Sequence, residues 1–109
     1  MNFNEDNKIV NTFIEETTEH LTEIEHGILS LENNSQNIDD ELVHSMFRAA
    51  HSIKAGANLL EFRNIEALSH KLENTLQKLR QQKLVLNKDI VDVLLKGLDK
   101  IEEIMNDLK

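Results

Sequence analysis

The sequence predicts an all-α fold, an antiparallel up-down four-helix bundle forming a single domain over residues 1–109. Three observations carry that reading. There are no prolines and only three glycines, so little interrupts a helix. Aromatic residues make up 4% of the chain, too few for most sandwiches or barrels. Apolar residues recur in steps of three and four along four separate segments, the period of a helix that buries one face. At 39% apolar, 109 residues suffice for one core but not for two.

The first helix is expected over about 5–32, where Val10, Phe13, Ile14, Thr17, Leu21, Ile24, Ile28 and Leu31 draw one stripe and Glu15, Glu16, Glu19, His20, Glu23 and Glu25 fill the wet side. The polar run Asn33 to Asn37 has no periodicity and reads as a loop. Asp39 is positioned to cap a second helix over 40–60, with Ile38 and Val43 able to close a hydrophobic staple. Its core stripe is Val43, Met46, Ala50, Ile53, Ala57 and Leu60. Glu61 to Arg63 form a short turn, and Asn64 is read as the cap of a third helix reaching to about 82, with Ile65, Leu68, Leu72, Leu76 and Leu79 inward. Asn87 caps a fourth helix over 88–108, whose stripe runs Ile90, Val91, Leu94, Leu98, Ile101, Met105, Leu108. Gly27 and Gly97 stand alone inside helices, where tight packing explains a missing side chain.

Charge and composition exclude several function classes. The net charge of −8 argues against nucleic acid, which needs a concentrated basic face. Its distribution is uneven: residues 1–47 carry 11 acids and one base, whereas residues 48–109 carry 9 acids and 11 bases. The absence of cysteine removes disulfides, thiolate metal sites and thiol nucleophiles. No apolar run approaches the roughly 20 residues of a membrane span, and Met1 to Lys8 is too polar for a signal peptide. The expectation is a soluble, intracellular chain. Glycine-rich nucleotide loops and serine elbows are missing as well.

One stretch invites chemistry. In Phe47 to Ala57, FRAAHSIKAGA, His51 lies about 100° from Ala50, at the edge of the core stripe, with Lys54 one turn on and three small residues at 55–57. The third helix offers Glu66, His70, Glu73 and Gln77 along one line. A neutral imidazole is nucleophilic at the nitrogen that lacks a proton, so a carboxylate accepting Nδ1–H would direct reaction to Nε2. Glu73 suits that part, and Lys54 and His70 suit an incoming phosphoryl group, whereas Arg48 reads first as an exposed, solvated arginine. On spacing alone a half-buried, structurally satisfied histidine is the better reading of His51. The same residues also permit a metal reading through His70-x-x-Glu73 with His51, but the paired motifs of di-iron bundles are missing. His20 and His26 read as surface.

FRAAHSIKAGA, followed by His70-Lys71-Leu72-Glu73 and later by LNKDIVD, resembles the histidine phosphotransfer (HPt) family, in particular the N-terminal phosphoacceptor domains of CheA-type chemotaxis histidine kinases. The resemblance implies that His51 is the phosphoacceptor, that Glu73 hydrogen-bonds its Nδ1, and that Lys54 and His70 complete the polar network. It implies a cytoplasmic, monomeric domain without cofactor or metal of its own. ATP and Mg2+ would belong to a partner kinase ATP-binding domain, and a response-regulator receiver aspartate would take the phosphoryl group. A short fifth helix beyond residue 109, a stand-alone phosphorelay shuttle and a non-enzymatic interaction bundle are the variants on this theme. Where the family usually reads K-G-G-A-G-T-F-G-F, this chain has Lys54-Ala-Gly-Ala-Asn-Leu-Leu-Glu-Phe62, so Ala55, Asn58 and Glu61 replace glycines.

Overall fold

The computed structural model describes residues 3–33 and 39–109, which form four helices: α1 (Phe3–Asn33), α2 (Asp40–Leu59), α3 (Arg63–Arg80) and α4 (Lys88–Leu108). Each helix packs on its neighbours in chain order and α4 returns to α1, while the backbones of the diagonal pairs stay more than 8 Å apart, Cα to Cα, among the described residues. This is the expected four-helix bundle. The expected stripes meet at its axis: Ile24, Ile28, Val43, Met46, Ala50, Ile53, Ile65, Leu76, Leu94 and Ile101 are essentially closed to solvent. Val10, Leu60, Leu68, Ile90 and Leu108 pack at the edges of that core.

Two of the three expected caps form. The Asp39 carboxylate accepts from the amides of Glu41 and Leu42, and Asn87 Oδ1 accepts from the amide of Ile90. Asn64 is not a cap. Helix α3 begins two residues earlier than that cap would place it, at Arg63, with Phe62 in the capping position and no side-chain hydrogen bond there. What starts α3 is the anchoring of Phe62, whose ring packs 5.4 Å from that of Phe13 on α1. The loop expected at Asn33 to Asn37 lies, apart from Asn33, outside the described residues, and so does a staple through Ile38.

The isolated glycines are close-approach points, as expected. A Cβ at Gly27 would lie 2.5 Å from Met46 Sδ, and one at Gly97 would lie 3.2 Å from Leu72 Cδ2. The small run at 55–57 divides its work. Ala57 is fully buried and Gly56 leaves room for the Phe13 ring, so both serve helix packing. Ala55 alone is exposed, one turn beyond His51.

Only three residues, Leu60 to Phe62, link α2 to α3. Glu61 adopts φ 63°, the left-handed conformation that suits glycine, although its side chain is glutamate. Its carboxylate sits 3.8 Å from Arg63 with both groups largely exposed, an ion pair too wet to offset the backbone cost. Glu61→Gly is therefore expected to stabilise the domain by roughly 0.5–1 kcal/mol, the left-handed penalty less the entropy of an added glycine. Thermal or urea unfolding checks it; a lower midpoint would show that the side chain contributes more than the strain.

Candidate functional site

The short link makes α2 and α3 an antiparallel hairpin and determines which residues face each other across it. Among the side-chain hydrogen bonds that bridge the seam, Asn58 to Glu66, His51 to Glu73 and His44 to Arg80 form a ladder, at separations of 8, 22 and 36 residues. Each step adds seven residues on each helix, and all three pairs are centred on Phe62. Seven residues are two turns of a helix wound to a 3.5-residue period, so the rungs recur on one face about 10.5 Å apart.

His51 occupies the middle rung. Its Nδ1 lies 2.5 Å from Glu73 Oε2, and Lys54 Nζ donates to the other carboxylate oxygen, Oε1, at 2.7 Å. The exposure of the three side chains differs sharply: 59% for His51, 26% for Lys54 and 10% for Glu73. The carboxylate is thus buried beneath the imidazole, and the imidazole's other edge is open. Burial works against the charged form of Glu73, but the hydrogen bonds from Lys54 and His51, together with their charges, outweigh it and hold its carboxyl below the usual carboxylate range. An ionised carboxylate only accepts, so the proton of the bond sits on His51 Nδ1. The lone pair is then on Nε2, which has no hydrogen bond among the described residues.

The remaining candidates fall apart from this pair. His70 is exposed and makes no hydrogen bond or ion pair among the described residues, one turn before Glu73. His20 Nδ1 is 3.9 Å from Glu23, too far for a hydrogen bond, and His26 is exposed. Among the described residues no three of His, Asp or Glu come together as a metal site. Arg48 is exposed one turn before His51. Phe47 lies one turn before His51, and its ring is 6.4 Å from the imidazole at 16°, nearly parallel. The Asn58 to Glu66 rung uses one of the replaced glycines: Asn58 and Arg63 both donate to Glu66 and hold its carboxyl below the usual range.

The sequence profile of the Hpt domain matches residues 8–104. The chain belongs to the Hpt domain family. This Hpt domain is 36% identical over 100 residues to the chemotaxis protein CheA of Rhizobium meliloti, a match that covers 92% of the chain but 13% of that longer protein. It superposes on the CheA phosphotransferase domain from Thermotoga maritima with a TM-score of 0.85 and 32% identity, covering 93% of one chain and 94% of the other. The phosphorylated P1 domain of CheA3 in complex with CheY6 from R. sphaeroides shares the fold, with a TM-score of 0.81 at 21% identity, over 92% of this chain and 77% of that one. No helix among the described residues of the Hpt domain is long and apolar enough to cross a membrane.

The lowered Glu73 couples the site to stability. Because its folded-state pKa is depressed, its contribution is complete above the ordinary carboxylate range and is lost as pH falls through the lowered value. Near neutrality Glu73→Gln is expected to cost roughly 1–3 kcal/mol in unfolding free energy, and the gap to wild type is expected to close in acid. Unfolding curves across pH check it; a gap that is the same at every pH would mean that shape, not charge, holds Glu73 in place.

Proposed function

We propose that this domain accepts the γ-phosphoryl group of ATP on His51 Nε2 from a kinase ATP-binding domain and passes it to an aspartate of a response-regulator receiver domain. ATP and Mg2+ bind to the partner kinase, and this domain is substrate and carrier. The observation that carries the reading is the middle rung: a buried, ionised Glu73 on Nδ1 of an imidazole whose Nε2 is open. Family membership and the likeness to a P1 domain complexed with CheY6 support the regulator as the second partner.

Each residue has a chemical part. The Nε2 lone pair attacks the γ-phosphorus, the bond to the β,γ-bridging oxygen breaks, and ADP leaves with that electron pair. The ring, phosphorylated on Nε2 and still protonated on Nδ1, gains positive charge that Glu73 neutralises. Lys54 keeps Glu73 ionised and offers a cation beside the arriving phosphoryl group. His70, exposed one turn from Glu73, meets the phosphoryl group or the partner only after docking. On the way out, a carboxylate oxygen of the regulator attacks phosphorus, the N–P bond breaks, and its electrons return to Nε2. The match to CheA proteins supports a chemotaxis kinase acting in the cytoplasm as the larger assembly.

Incubation with ATP and a CheA kinase core is expected to give an acid-labile, base-stable phosphate on His51. His51→Gln should abolish it; label surviving in that variant would remove His51 from the reaction. Glu73→Ala is expected to slow labelling by roughly ten- to a hundredfold, the worth of one charge-assisted hydrogen bond, without loss of helicity. An unchanged rate would show that tautomer control by Glu73 is unimportant.

A further inference from the structure

Two histidines on α2 face the same way and show opposite chemistry. His44 and His51 lie seven residues apart, both exposed, and each meets one residue of α3 through Nδ1. At His51 the partner is a carboxylate. At His44 it is the guanidinium of Arg80, whose Nη1 lies 2.7 Å from Nδ1. Guanidinium is always charged and can only donate, so Nδ1 of His44 accepts and the ring proton sits on Nε2. The outward nitrogen of His44 is therefore an N–H donor, and its lone pair is turned inward and occupied.

Arg80 is itself fixed from two sides. Besides donating to His44, its guanidinium carbon lies 4.9 Å from the centroid of the Phe47 ring. Phe47 stands between the two histidines, 12° from the plane of His44 and 16° from that of His51. Next to this stack Asp40, Glu41, His44, Arg48 and Arg80 line an open cavity of about 570 Å³. An anionic phosphodonor drawn to Arg48 and Arg80 arrives beside His44, which lines the same cavity, so charge attraction alone does not spare His44. The available lone pair does.

We propose that Arg80 is a specificity-determining residue: by occupying the lone pair of His44 Nδ1 it confines phosphorylation of this face to His51. The inference rests on His51 being the acceptor, and its test separates the two. Phosphoramidate serves as the donor because it needs no protein docking. The imidazole lone pair attacks its phosphorus, the P–N bond of the ammonium form breaks, and ammonia leaves with the electron pair.

In ¹⁵N-labelled wild-type protein, His44 is expected as the Nε2–H tautomer and His51 as Nδ1–H. Phosphoramidate is expected to label His51, with His44 at least about tenfold slower, as read by site-resolved mass spectrometry. In a His51→Gln background, Arg80→Glu rebuilds the outer rung in the image of the middle one. It is expected to turn His44 to Nδ1–H and raise its labelling by roughly tenfold. Arg80→Ala, which removes the donor without adding a carboxylate, should fall between. Circular dichroism verifies that α3 persists in both, and the wild-type tautomer needs no variant at all. His44 found as Nδ1–H in wild type, labelled as fast as His51, or unmoved by Arg80→Glu overturns the inference while His51 remains the acceptor. An unlabelled His51 in wild type overturns the acceptor reading and this inference together.

Discussion

The three-residue link between α2 and α3 sets the register on which everything at the site depends. It allows one antiparallel alignment, and that alignment puts residue pairs centred on Phe62 opposite each other. A histidine in the middle of α2 then meets a carboxylate in the middle of α3 although 22 residues separate them in the chain. The neighbouring apolar positions Ile53, Ile65 and Leu76 are buried in the core beneath the rungs and help to hold the two helices at the distance the hydrogen bonds require. Packing and chemistry share one geometric constraint.

Within that geometry Glu73 carries an electrostatic burden that a lone buried carboxylate would not survive. Desolvation alone would push it toward the neutral acid, which could no longer act only as acceptor for His51. Lys54 resolves this by supplying a positive partner independent of the state of the imidazole. Glu73 stays ionised when His51 is neutral, and its charge is already in place when the ring becomes cationic. Nothing has to reorganise at that moment, which is what a preorganised site offers. The open edge of His51 and the small, exposed Ala55 beyond it leave the reacting nitrogen accessible.

Much of this was legible in the residues themselves. The four stripes announced the core because helical period and burial are the same fact seen twice, and Asp39 and Asn87 announced their helices through side chains that can do little else at those positions. The pairing of His51 with Glu73 was legible through the family resemblance; spacing alone left it open, since a hairpin register follows from loop shape. Asn64 misled because capping chemistry competes with tertiary anchoring, and Phe62 won by docking on Phe13. The run at 55–57 looked like a single device for exposing the imidazole, whereas two of its members face the core, as a helical period of 3.6 demands of three consecutive residues. The rung between His44 and Arg80 went unseen. Its signal was there: once His51 and Glu73 are paired, stepping seven residues outward on each helix arrives at both.

The ladder does not encode its own alignment. Slid by one heptad, the same two helices would set His44 against Glu73 and His51 against Glu66, two imidazole–carboxylate pairs with sound chemistry of their own. What forbids that hairpin is a connection too short to reach, closed by a glutamate held at a glycine's φ. Which histidine faces Glu73 is thus a property of loop length, and a lineage could move its reactive nitrogen two turns along a helix by lengthening a turn, with every residue of the site unchanged.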